Sequence, residues 1–390
     1  MARTSSISQN YALFVSSGSS TGGAHGSNLY NIWGLQSLNW EVSIPKQDVQ
    51  VYGVGAPLTR ELTDSPQVTL DFSYLVTTAN NEHRLGLQTL DGTTSVLSRL
   101  LDKSADDKNY FVYIAPQGQD AVGRSGSASP DGSYVLGVGN GFINSYSIEA
   151  AVGGYPTASV QVQGLNLRTY TSGISCPVPA VNPVTGLELT SSNPSYTFSI
   201  PYIRNAYLSG LFDGVAGNTG VPAAIRPGDI SLTLSRAVPT GPGTTGLFYD
   251  YSTICPQSFN ASFDMSRQTI NCLGSRFATD RSITFPMNVN FEVEMLAKDM
   301  ITGSLAQFLC NTGAYTASVT LRKPSCDGNG AQQLGITLRN LSFEGQSVST
   351  SIGSEPVTVR TRWLGQVGGA GDVTNGLFFS GAVTGLNGAV

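Results

Sequence analysis

One segment of this chain occurs twice. "QSLNWEVSIPKQDVQVYG" (residues 36–53) returns as "QSFNASFDMSRQTINCLG" (residues 257–274), an offset of 221 residues. Held without gaps over residues 36–68, that offset keeps Gln36, Ser37, Asn39, Gln47, Gly53, Arg60, Thr63 and Val68 as Gln257, Ser258, Asn260, Gln268, Gly274, Arg281, Thr284 and Val289. Arg267 stands in place of Lys46, Met265 of Ile44 and Ile283 of Leu62. Shared composition does not preserve register in this way, so a folding unit has been duplicated. Whatever the chain folds into must accommodate the same backbone twice.

The duplication extends beyond that segment. "SVLSRLL" (95–101) aligns with "GSLAQFL" (303–309), placing Leu97, Leu100 and Leu101 over Leu305, Phe308 and Leu309. Those are i, i+3 and i+4 positions, the buried stripe of one helix. "NSYSIEAAVGG" resembles "NLSFEGQSVST", with Ser147 and Glu149 echoed by Ser342 and Glu344, and "YALFVSS" has a counterpart in "ISLTLSR". The organisation read from this is a first unit over residues 1–170, with the repeat itself beginning near residue 10, and a second over 229–366. A Pro- and Gly-rich connection with a few strands of its own (171–228) joins them, and a Gly-rich tail (367–390) follows.

Each unit reads as strands plus a helix. Val68, Leu70, Phe72 and Tyr74 alternate with Thr69, Asp71 and Ser73, and Val289, Phe291, Val293 and Met295 with Asn290, Glu292 and Glu294. The preceding strand behaves alike: Trp40, Val42 and Ile44 against Asn39, Glu41 and Ser43, then Ala261, Phe263 and Met265 against Asn260, Ser262 and Asp264. A period of two with one apolar face is the mark of a half-buried strand. The Gly-punctuated stretches around Gly53 and Gly274 suit hairpins or long loops. The expected class is mainly β (α+β), with two tandem, similar β-sandwich or barrel-type domains each carrying one packed helix.

Composition agrees. Charged residues make up 12% of the chain, with 45 Gly and 19 Pro, a balance that fits an all-β protein much of whose surface meets other protein. The net charge is −5, and the 21 Lys and Arg form no run, which argues against a nucleic-acid grip built on clustered cations. Five Cys without tight pair spacing indicate neither a zinc site nor a disulfide framework. No apolar stretch reaches the 18 residues of a spanning helix, and the run from Tyr11 to Val15 is short for a signal segment. The expectation is a protein made soluble in a cytoplasm, with no membrane partner and with the Asn260 and Asn340 sequons unused.

Catalytic patterns are few. His25 and His83 are the two histidines; His25 reads as a loop residue and His83 as a turn residue. "GSSTG" around Ser20 lacks the strand and helix of a nucleophile elbow, and "GVGNGF" (137–142) lacks the third Gly of a dinucleotide loop. "DKSADDKN" (102–109) has Asp107 where a calcium loop needs Gly, and reads as a charged helix-to-strand connection. Glu41, Asp71, Asp264, Glu292 and Glu294 could include a glycosidase pair, but a solvated sheet face explains them as well. Trp33 and Trp363 could stack on a sugar, while Trp40 reads as core. No catalytic, cofactor or metal residue is assigned, and the chain is read as a non-enzyme.

The paired segments, the alternating strands that follow them and the two "SVLSRLL"/"GSLAQFL" helices resemble the tail tube (major tail) proteins of long-tailed bacteriophages, in the variety with two tube domains per chain. The resemblance covers about three quarters of the chain. It implies a homotrimeric, pseudo-hexameric ring with a β-barrel lumen, stacked into a tube in the virion tail. It also implies other tail proteins as partners and viral DNA that passes through without specific binding. A conduit must not hold its cargo, and each cation on a phosphate is an attractive well. The polar strand faces (Asn39, Glu41, Ser43, Thr69, Asp71, Ser73, Asn260, Ser262, Asp264, Asn290, Glu292 and Glu294) are therefore expected to line the bore. Lys46, Arg60, Arg267 and Arg281, on the segments between those strands, are candidates for contacts between rings. The alternatives are another phage structural protein (neck, baseplate or capsid decoration) and a carbohydrate-binding or hydrolytic β-sandwich protein.

Overall fold

The structure is a computed structural model that describes residues 10–16, 29–118, 121, 133–170, 175–182, 185, 187, 189, 197–199, 224–236, 255–296, 315–325, 330–349 and 357–381. It is mainly antiparallel β. The first unit runs β1 (Tyr11–Ser16), β2 (Leu29–Ile32), β3 (Leu35–Ser43), β4 (Lys46–Val49), β5 (Thr59–Leu62), β6 (Gln67–Leu75), α1 (Asn80–Leu85), α2 (Ser98–Leu101), β7 (Asp107–Ile114), β8 (Tyr134–Ala151), β9 (Thr157–Gly164) and β10 (Asn166–Tyr170). In the connection, β11 (Ser175–Pro177) pairs with β12 (Thr197–Ser199). The second unit runs β13 (Ile230–Arg236), β14 (Pro256–Asp264), β15 (Arg267–Ile270), β16 (Asp280–Ile283), β17 (Met287–Leu296), β18 (Tyr315–Arg322), β19 (Gln332–Ser349), β20 (Thr358–Val367) and β21 (Gly376–Ser380).

Strand pairing repeats with the sequence. Trp40 pairs with Leu70 and Ala261 with Phe291; Lys46 pairs with Leu62 and Arg267 with Ile283. The irregularity between Leu35 and Ser37 recurs between Pro256 and Ser258 at the same offset. Sheet order is β3-β6-β9-β8 in the first unit and β14-β17-β20-β19 in the second. The hairpin β4–β5 corresponds to β15–β16, and Gly53 and Gly274 take the left-handed conformation at their ends, with φ of 92° and 91°.

The long strands β8 and β19 turn the sheet into two layers. The first half of β8 pairs with β7 and β10, the second half with β9. Opposite β7, Gly139 and Asn140 together face the single residue Asn109, and opposite β18, Arg339 and Asn340 face Thr316. A two-against-one bulge bends its strand and sharpens the twist. The inserted residue is in each case an Asn with positive φ, 48° at Asn140 and 56° at Asn340, a conformation Asn tolerates better than other side chains. The bend folds β7 over β6, where the Phe72 and Tyr110 rings lie 6.4 Å apart; in the second unit Tyr315 of β18 meets Trp363 of β20 at 4.7 Å. One continuous core, including Leu70, Phe72, Val112, Val162, Phe291, Val319 and Trp363, runs through both units.

Four sequence expectations change here. The repeats of β8 and β19 match at an offset of 200, because Ile143 and Phe343 both precede a one-residue bulge against β9 and β20; Ser147 therefore corresponds to Ser347, not Ser342. The helix expected over 95–101 is the four-residue α2, with Leu97 and Leu100 buried and Leu101 half-buried, and α1 precedes it. Its counterpart over 303–309 lies outside the described residues. The stretch expected as a Gly-rich tail contributes β21, which pairs with β19 as β10 does with β8. His83 sits in α1 rather than in a turn.

Candidate functional site

All twelve polar strand residues fall on one face of one sheet. β14 pairs with the second half of β8 from Ser258↔Ala151 to Asp264↔Ser145. That joins the two four-strand sheets edge to edge in the order β3-β6-β9-β8-β14-β17-β20-β19. Rows of polar residues cross it: Asn39, Asp71, Gln161, Ser145 and Asp264 in one; Ser37, Ser73, Ser159, Ser147, Ser262 and Asn290 in the next. None of the twelve is buried. Ser37 and Ser73 share a hydrogen bond of 2.6 Å, and Asn144 Nδ2 donates to Gln161 Oε1 at 2.9 Å.

Sequence reading missed three charged members of this face. Glu149 lies opposite Asn260, and β20 adds Arg360 and Arg362 opposite Glu294 and Glu292. Arg362 Nε is 2.9 Å from Glu292 Oε1, and Arg360 Nη2 is 3.5 Å from Glu294 Oε2. The alternation of "TVRTRWLGQV" was the available signal. The face thus holds Glu41, Asp71, Glu149, Asp264, Glu292 and Glu294 against two arginines, each engaged by a glutamate. Its character remains acidic.

The junction between the units is anchored by the second hairpin. The Arg267 guanidinium, 1% exposed, forks onto Asp106 of the first unit with Nη2–Oδ1 at 2.6 Å and Nη1–Oδ2 at 3.1 Å. Its Nε donates to the Ile143 carbonyl at 3.2 Å, and the group lies 5.1 Å from the Phe142 ring centroid. Burial pushes the Asp106 carboxyl above its ordinary value against the pull of Arg267. Arg281 is also buried, donates to the Gln163 carbonyl at 3.3 Å, and is brought down to about 10 by burial and by the charge of Arg267. Arg267 and Arg281 are therefore held inside the chain. Asp106 was legible only as part of a charged connection; the structure buries it at the threshold of β7.

The equivalent positions in the first unit are bare. Lys46 is exposed, and Arg60 pairs with Asp48 at 2.6 Å with 70% of its side chain exposed. Every residue of β4 and β5 is exposed. Trp40, expected in the core, is 38% exposed, with Val42 at 43% and Ile44 at 54%. Their counterparts Ala261, Phe263 and Met265 are at most 1% exposed, because Phe263 stacks on Tyr146 of the first unit at 5.5 Å. β3 stands at the sheet's open edge and has no such neighbour among the described residues.

Of the residues weighed for other chemistry, Trp363 is 1% exposed and packs on Tyr315 and Phe343, which removes it as a sugar platform. Trp33 is tied through its backbone to the Asn81 side chain. The His83 ring is within 3.3 Å of Arg99 Nη1 and is lowered to about 4, by burial first and then by Arg99, Lys108 and Arg84. Ser20 and His25 lie outside the described residues. Among the described residues no group of three or more His, Cys, Asp or Glu converges on a metal position, and no helix is long and apolar enough to cross a membrane.

No protein-family model matches the chain, and no curated protein does. Among solved structures there is similarity to a chain in the cryo-EM structure of the anti-feeding prophage (AFP) baseplate, 6-fold symmetrised, at 9% identity and a TM-score of 0.27. It covers 44% of this chain and 98% of that one.

Proposed function

We propose that this chain is a structural subunit of a phage virion, and specifically of a tail tube: a ring former whose polar sheet face lines a passage for DNA. The observation that carries the reading is the β8–β14 junction. Two copies of one domain associate side by side by extending a single sheet, and the composite sheet ends in two edges of the same kinds that are joined in its middle. A unit of this form adds further units in the same manner, and a ring is the closed outcome of such head-to-tail addition.

The chemistry of the face fits a conduit. Its acid excess repels a polyanion, and Arg360 and Arg362 are neutralised by Glu294 and Glu292, so they offer phosphates little attraction. In this reading the apolar side, covered by the second layer except at the β3 and β19 margins, faces outward. Electron microscopy of the purified protein tests the proposal: rings with a central hole, stacking into tubes, are the expected result. Single rings that never stack would favour a neck or baseplate position, and a monomer at high concentration would end the reading.

A further inference from the structure

We infer that the open edge of β3 receives the outer edge of β19 from a second copy of this chain, in the register that β14 and β8 already use. This rests on the ring-forming reading above and specifies its interface. Through the offsets of 221 for β3 and 200 for β8, the internal pairs translate directly. Ala261↔Ile148 becomes Trp40 opposite Val348, Ser262↔Ser147 becomes Glu41 opposite Ser347, and Asp264↔Ser145 becomes Ser43 opposite Gly345.

Three independent features meet at those positions. First, among the described residues no strand pairs with the outer side of β3, or with β19 between Ser342 and Ser349 on the side away from β20. Open edges of this length invite a partner strand. Second, the apolar residues are exposed at both edges and buried at the internal junction. Trp40 is 38% and Val348 51% exposed, against 1% for Ala261 and 0% for Ile148. Gln346, beside Val348, keeps its Oε1 out of solvent with no hydrogen-bond partner in the structure. Third, the hairpin β4–β5 projects with every residue exposed, whereas β15–β16 is clamped across the junction by Arg267. In the inferred contact, Lys46 takes the position of Arg267 and reaches the Phe343 carbonyl, the counterpart of Ile143. The pairing is heterologous: the first unit of one chain meets the second unit of the next. Lys46 and Arg60 accordingly act within the ring.

The test is a cysteine pair. Glu41→Cys and Ser347→Cys are introduced together in a background with the exposed Cys272 changed to Ser. Within one chain these positions lie at opposite margins of the sheet, about 34 Å apart at a strand spacing near 4.8 Å, so a disulfide forms only between chains. Mild oxidation is expected to give covalent dimers and then a closed oligomer on denaturing gels. The pair Ser37→Cys with Ser347→Cys, displaced by about 14 Å in this register, is expected to give none. Rings in the microscope without the Glu41–Ser347 cross-link, or a cross-link from the displaced pair, overturn the interface while leaving the ring reading intact. A protein that forms neither rings nor cross-links overturns both. Trp40→Glu gives a second readout, with oligomers lost and the melting temperature of the monomer unchanged; assembly that survives this change contradicts the inference.

Discussion

Glu82 shows how a single side chain is placed under tension by its surroundings. It is fully buried in α1, accepts hydrogen bonds from Tyr74 Oη at 3.0 Å and Tyr146 Oη at 3.2 Å, and its other oxygen has no partner. Burial raises it to about 7. An acid raised in the folded state adds stability that is fully present below the ordinary carboxylate value of 4.5 and is lost as pH rises through about 7. His83, lowered to about 4, works the other way, its contribution falling away as pH drops from 6.5 toward 4. Above pH 6.5 His83 no longer contributes, and Glu82 loses about 0.8 kcal/mol between pH 6.5 and 8, while Lys108, lowered to about 7 by burial, adds stability over the same window as it sheds its charge. Urea titrations at those two pH values isolate Glu82 by difference: the native protein should fall by about 0.8 kcal/mol relative to Glu82→Gln, and an identical pH response in the two proteins contradicts the assignment. At the same scale, Arg267→Ala leaves Asp106 buried without its cation and should cost about 3–5 kcal/mol. Arg60→Ala breaks an exposed pair and should change stability by less than about 1 kcal/mol. Comparable losses from the two substitutions would sink the distinction drawn between the two hairpins.

At the level of elements, the parts that were legible in the sequence are those where one face meets core and the other meets water. The alternation in β3, β6, β14 and β17 placed all twelve polar residues on a common face, and the offset of 221 carried over to every backbone pair tested by register. Bulges were not legible, since an extra residue such as Asn144 or Glu344 looks like any other polar strand residue. That is why the β8 and β19 segments were aligned five residues out of place on a coincidental Ser-x-Glu. The fate of Trp40 was equally hidden: alternation states which face a side chain points to, not whether anything lies over that face. Nor did composition separate Asp106, which closes a buried ion pair, from its neighbours in a charged stretch. A prediction belongs here. Replacing residues 46–62 with a short turn should leave the melting temperature nearly unchanged, because that hairpin touches little, and should abolish assembly. The same replacement over 267–283 should lower the melting temperature by several degrees, since it removes Arg267 and Arg281 from the junction; equal effects on both would contradict the account.

For the whole molecule, the duplication explains the contrasts between its halves. Positions that are buried by contact in the second unit are exposed in the first, as with Met265 and Ile44 or Phe263 and Val42, while the backbones that present them are alike. Divergence of side chains on a retained backbone follows when one junction forms inside a chain and the other between chains. In the proposed ring, the exposed apolar residues at the two margins are halves of one contact. Electron microscopy of the purified native protein, averaged end-on, tests this most directly. Rings of three chains showing six similar lobes, with the acidic sheet face turned to a central hole, are the expected result. Particles that remain single and compact at high concentration, or rings whose polar face points outward, would contradict it.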